Sequence, residues 1–141
     1  MLKSVFQRDT LTISAALCSH RRPYVYGSHM CVAKEELFSL MDCVICGDDK
    51  EVKNRKPAPD IYIIAAQRLN VNVTKCVVIE DSPEGMRAGA SAGAKVVGVP
   101  AAWTKEKNIG RGVKVDFLVS SLWDFPCTKF SGLTALKKPT K

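Results

Sequence analysis

The order of patterns along the chain predicts an α/β fold, a parallel sheet with crossover helices, and three observations carry the prediction. Short Val- and Ile-rich runs, CVIC at 43–46, CVVI at 76–79 and KVVGV at 95–99, have the composition of buried strands. Between them lie IYIIAAQRL and PEGMRAGASAG, which have helical spacing and helix-start signals. Strand, helix and strand in this succession put the strands parallel, with helices packed on the sheet faces.

The chain has 141 residues, the size of one domain, and is 46% hydrophobic and 25% charged, enough apolar material for a packed core. No apolar run approaches the roughly eighteen residues of a membrane span. Lys plus Arg number 21 against 14 Asp plus Glu, a net charge of +7 that favours an anionic ligand without naming it.

The first thirty residues are rich in hydroxyls and carry four basic groups against Asp9 alone. Their apolar-leaning patch is too short and too polar for an export signal, and a strand followed by a loop is the expected structure. The division that follows is an atypical N-terminal segment at 1–30, an α/β core at 31–133 and a basic tail at 134–141. In AKEELFSLM, Leu37, Leu40 and Met41 share one helical face ahead of the CVIC strand. A turn-rich loop, GDDKEVKNRKPAP, then leads to Pro59, which suits a first helical turn, and Asn70 closes the helix. In the next helix Ala88, Gly89, Ala90, Ala92 and Gly93 leave little side-chain bulk, which allows close approach to a sheet. DFLVSS at 116–121 supplies a last short strand and SLWDF a helical turn.

Of six cysteines, Cys18, Cys31, Cys43, Cys46, Cys76 and Cys127, three fall in apolar runs and read as reduced core residues. Cys43 and Cys46 have C-x-x-C spacing, yet three positions apart on a strand they point to opposite faces.

In parallel sheets ligands sit beyond the carboxyl ends of the strands, so the residues there are the candidates for chemistry. After CVIC come Gly47, Asp48 and Asp49, then Lys56-Pro57-Ala58-Pro59-Asp60; after CVVI come Glu80, Asp81, Ser82, Pro83, Glu84 and Gly85. Taken singly, each is an ordinary solvated turn residue. Together, carboxylates at a strand end suit a hard cation, and a lysine on a rigid Pro-flanked turn can neutralise a phosphate that the cation also touches.

KPAPD followed by VVIEDSPEG, with VDFLVSSLWDF downstream, resembles the haloacid dehalogenase superfamily, in particular its small sugar-phosphate and nucleotide phosphatases, over about residues 36–125. The resemblance implies a Rossmann-like three-layer core, Mg²⁺ as cofactor, and hydrolysis of a small phosphorylated metabolite through an aspartyl-phosphate. It implies that Lys56 steadies the transferring phosphoryl group, and that Asp81 ligates the metal with Glu80 as a further ligand or supporting partner. Ser19, after TLTISAALC, is the favoured residue for the hydroxyl that holds a phosphoryl oxygen; Ser28 leaves too few residues for the helix that should follow. Asp60 and Glu84 read as helix N-terminal acids, and His20 and His29 as loop residues.

The family's nucleophile lies in D-x-D at the end of a central first strand, and no two aspartates of this chain (9, 42, 48, 49, 60, 81, 116 and 124) are separated by one residue. The expected fold therefore lacks that strand and the helical cap after it. Two inner strands would lose their partner unless LKSVF fills the gap or the strands re-pair, and otherwise the chain is only partly stable. The expectation is a truncated phosphatase of the family; the alternative is a non-catalytic binding module that keeps the phosphate and Mg²⁺ sites. Membrane partners are not expected. The basic groups Lys50, Lys53, Arg55, Lys56 and Lys105, Lys107, Arg111, Lys114 are not interleaved with aromatics, which disfavours nucleic acid. A cytoplasmic location is expected, ahead of a mitochondrial one.

Overall fold

The computed structural model describes residues 4–9, 12–19, 41–100 and 113–130. The helix expected before Met41, Cys31, Ser28, His20, His29, the basic residues Lys105, Lys107 and Arg111, and the tail from Thr134 lie outside the described residues. The described strands are β1 (Ser4–Asp9), β2 (Thr12–Ser19), β3 (Cys43–Cys46), β4 (Val77–Glu80), β5 (Lys95–Gly98) and β6 (Phe117–Leu118). They form one sheet in the order β3-β2-β1-β4-β5-β6.

The expected parallel pairing holds for β2 with β3 and for β4, β5 and β6. The central position is taken by β1, so the gap anticipated there is filled by residues of the N-terminal segment. It is filled in reverse, because β1 is antiparallel to both β2 and β4. The cause is the short connection. Asp9 pairs with Thr12, and so brief a link can only turn the chain back, whereas a parallel return needs a crossover of about a dozen residues or more.

Strand parity divides the core in two. Val78 and Val96 face a cluster with Ile45, Cys76, Met86 and the residues of two helices, while Val77, Val97 and Val99 face the other side. There the second cluster is closed by Phe117, Phe125 and Phe130, with Phe125 and Phe130 stacked at 5.3 Å between ring centres. Strands apolar on both faces are what a covered parallel sheet requires.

Helix α1 (Asp60–Arg68) has Asp60 in its first turn and Arg68 in its last, matching the helix dipole at both ends. It buries Ile61, Tyr62, Ile64, Ala65 and Ala66 and ends at Asn70, whose φ of 55° is the left-handed conformation asparagine tolerates. Helix α2 (Pro83–Ser91) starts from Ser82, whose hydroxyl accepts from the Gly85 N–H at 3.2 Å, with Pro83 at the first helical position. A Cβ on Gly89 would lie 3.0 Å from Val78 Cγ1 and 3.1 Å from Val96 Cγ2, so the small-residue helix does sit close on the sheet.

Cys43, Cys46, Cys76 and Cys127 are free thiols. Burial pushes Cys76 up to about 11 and is also the main cause of a raised Cys43, the nearby Arg68 opposing it. Thiols held protonated in this way are poor nucleophiles and poor metal ligands. No helix among the described residues is long and apolar enough to cross a membrane.

Just before β6, Asp116 accepts from the Val96 N–H at 2.8 Å and from Lys95 Nζ at 2.9 Å. Burial pushes its carboxyl up, but these bonds outweigh it and hold the group below its ordinary value. A lowered carboxyl contributes stability above the ordinary carboxylate range and loses it as pH falls through the lowered value. Asp116→Asn is therefore expected to lower the thermal midpoint at pH 7, with the difference from wild type narrowing as pH falls through the lowered value of the carboxyl. Equal midpoints at pH 7 would contradict this account.

Candidate functional site

The parallel strands bring their carboxyl ends to one edge of the sheet, where Ser19, Cys46 and Glu80 are the last strand residues. Ser19 lies opposite Cys46, and Ser4 of β1 is level with Leu17 on one side and Ile79 on the other. Ser19 and Asp81 thus each stand two residues past that level, on strands flanking β1, roughly 10 Å apart by strand spacing.

The reversal of β1 decides where Asp9 goes. Its partner is Thr12, at the amino edge of the sheet, five residues along the strand from Ser4 and so roughly 16 Å away. The sole acid upstream of the helix region is therefore turned away from the edge that carries Lys56 and Asp81.

Glu80 ends β4 with the same parity as Val78, which aims its carboxylate beneath the helices rather than into water. It is 1% exposed. Every charge taken so far from solvent needs partners, and both oxygens have them. Oε1 accepts from Lys56 Nζ at 2.6 Å and from the Tyr62 hydroxyl, while Oε2 accepts from Ser82 Oγ at 3.0 Å and from the Asp81 and Ser82 N–H groups at 3.2 and 3.3 Å. Lys56 Nζ also donates to the Tyr62 hydroxyl at 2.8 Å. The Lys56 side chain is only 7% exposed, so the loop carrying KPAP is fastened to the strand end by a buried ion pair.

Space for this carboxylate is made by Gly85. A Cβ there would fall 2.0 Å from Glu80 Cδ and 2.1 Å from Oε2. The PEG turn that follows the strand is thus shaped around Glu80.

Asp81 comes next in the chain, and its Oδ1 is shut off from solvent. Among the described residues no group of three or more His, Cys, Asp or Glu converges, and Asp81 is the carboxylate at this edge that could hold a cation. Mg²⁺ accepts that arrangement, since it keeps several waters and uses one or two carboxylates. Asp49 serves elsewhere: its Oδ2 accepts from the Cys46 N–H at 3.0 Å, closing the turn after β3, and lies 3.8 Å from Arg68. Asp60 Oδ2 accepts from the Asn54 N–H at 2.8 Å and fixes the loop ahead of Lys56. Glu84 sits in the first turn of α2.

The helical spacing of IYIIAAQRL presents Tyr62 as one more apolar residue. The signal that could have found it is general: a fully buried tyrosine hydroxyl must meet a polar partner. Glu80 was singled out, and the structure shows it gripping Lys56.

A family model described as haloacid dehalogenase-like hydrolase matches residues 16–93. The chain is 45% identical over 103 residues to a protein of Drosophila melanogaster named "Probable pseudouridine-5'-phosphatase", covering 71% of this chain and 43% of that one. It is 44% identical over 93 residues to (DL)-glycerol-3-phosphatase 2 of Arabidopsis thaliana, covering 64% of this chain and 38% of that one. Among solved structures it is similar to CbbY from Rhodobacter sphaeroides in complex with phosphate, at 32% identity and a TM-score of 0.52, over 60% of this chain and 35% of that one. The chain spans less than half the length of the curated relatives it matches.

Proposed function

The chain belongs to the haloacid dehalogenase-like hydrolase family, and from that premise we propose that its carboxyl-edge site is the phosphoryl-binding end of a Mg²⁺-dependent phosphatase of small sugar or nucleotide phosphates. The observation that carries the reading is the buried Lys56–Glu80 pair beside Asp81, a cation fixed at the strand ends where a phosphate would meet it. The names of the relatives, a pseudouridine-5'-phosphatase and a glycerol-3-phosphatase, support the substrate class. In this reading Lys56 faces the phosphoryl oxygens, Ser19, the last residue of β2, is the phosphoryl-binding serine, and Asp81 holds the cation. Glu80 anchors Lys56. Bound Mg²⁺ would supply charge neutralisation at the phosphoryl oxygens. A cytoplasmic setting, where thiols stay reduced, belongs to this reading.

A second reading, a binding module that holds a phosphate and a cation without turnover, is favoured by one observation: β1 places Asp9 at the far edge of the sheet. Loss of a covalent nucleophile removes several orders of magnitude of rate. The test is Mg²⁺-dependent phosphate release from an aryl phosphate, with inorganic phosphate binding measured on the same protein. Turnover abolished by both Asp81→Asn and Lys56→Ala supports the phosphatase. Lys56-dependent binding without turnover supports the module, and neither binding nor turnover overturns both.

A further inference from the structure

We propose that Tyr62 is a positioning residue that fixes the ammonium of Lys56, an inference that rests on the reading of Lys56 as the phosphoryl-binding lysine. A lysine head rides on a flexible four-carbon stem and, as a point charge, is oriented only by what it touches. A lone carboxylate would let it swing between two oxygens. Here the Tyr62 hydroxyl accepts from Nζ at 2.8 Å and donates to the same Glu80 Oε1 that Nζ reaches at 2.6 Å. The three polar atoms close a ring, and each fixes the other two.

The ring is attached to rigid elements on two sides. Tyr62 is 0% exposed and stands in the first turn of α1, packed in the main apolar cluster, while Glu80 ends β4. Lys56 alone comes from a loop, so it is the member whose position is set by the others. The hydroxyl also supplies Oε1 with a second donor, which draws off part of the carboxylate's pull on Lys56 and leaves more of the cation's field for a phosphoryl oxygen.

The test uses inorganic phosphate as the probe, titrated by phosphorus NMR into wild type, Tyr62→Phe, Lys56→Ala and the double variant. Phenylalanine keeps the ring and its packing and deletes only the hydroxyl. Tyr62→Phe is expected to weaken phosphate binding about five- to tenfold, the net scale of one hydrogen bond, and to change affinity less than about twofold once Lys56 is alanine. In the wild type, the Lys56 ammonium protons should give a slowly exchanging nitrogen-correlated signal with contacts to the Tyr62 ring. Equal affinities of wild type and Tyr62→Phe overturn the inference alone, as does absence of that signal in the wild type. Phosphate binding that does not depend on Lys56 overturns the functional reading, and the role of Tyr62 falls with it.

Discussion

Glu80→Ala is expected to remove a large part of the chain's stability, about 3–5 kcal/mol against the 5–15 kcal/mol typical of a domain. The substitution leaves Lys56 without its carboxylate at a position where the side chain is 7% exposed, and deprives the Tyr62 and Ser82 hydroxyls of their acceptor. Breaking a buried pair costs far more than the pair itself contributes, because the remaining charge is still held out of water. Lys56→Met combined with Glu80→Leu should therefore lose much less than Glu80→Ala alone. Urea unfolding checks this, read as a lower midpoint at unchanged slope. A loss below about 1 kcal/mol for Glu80→Ala would mean that the pair is solvated, and the account of the site would fail.

Gly85→Ala carries the second large effect, and two opposing magnitudes decide its sign. Helix propensity alone favours alanine over glycine by about 1 kcal/mol. Against this, the new methyl carbon would occupy the place of the Glu80 carboxylate, 2.0 Å from Cδ and 2.3 Å from Oε1. Overpacking of this kind typically costs about 1–3 kcal/mol, and here the displaced atoms are charged and buried, so sterics win. The expected result is a lower thermal midpoint together with weaker phosphate binding, since moving Glu80 moves Lys56. A stabilised Gly85→Ala protein would show that propensity prevails and that the carboxylate lies elsewhere.

Much of this was legible in the sequence because local chemistry dictated it. Val-rich runs bounded by turns became β4 and β5; Pro83 behind Ser82 started α2; Asn70 stopped α1. Lys56 and Glu80 were singled out from spacing, and the fold brings them together. The direction of β1 was not legible, because it depends on the brevity of the link between Asp9 and Thr12 rather than on any apolar pattern. Nor was the role of Tyr62, which is apolar by helical position and polar by a single atom whose partner lies 18 positions away.

The reversed central strand also orders how the sheet is assembled. Among the described strands β1 joins the β3-β2 side of the sheet to the β4-β5-β6 side, and its seam with β4 runs over three pairs, Ser4 with Ile79, Val5 with Val78 and Phe6 with Val77. Its pairing with β2 runs over six and joins close neighbours in the chain, whereas the seam joins distant ones. Local pairings close early and distant ones late, so the β1–β2 hairpin forms ahead of the β1–β4 seam, and the cluster that packs Ile45 with Val78 and Val96 then binds the two sides into one core.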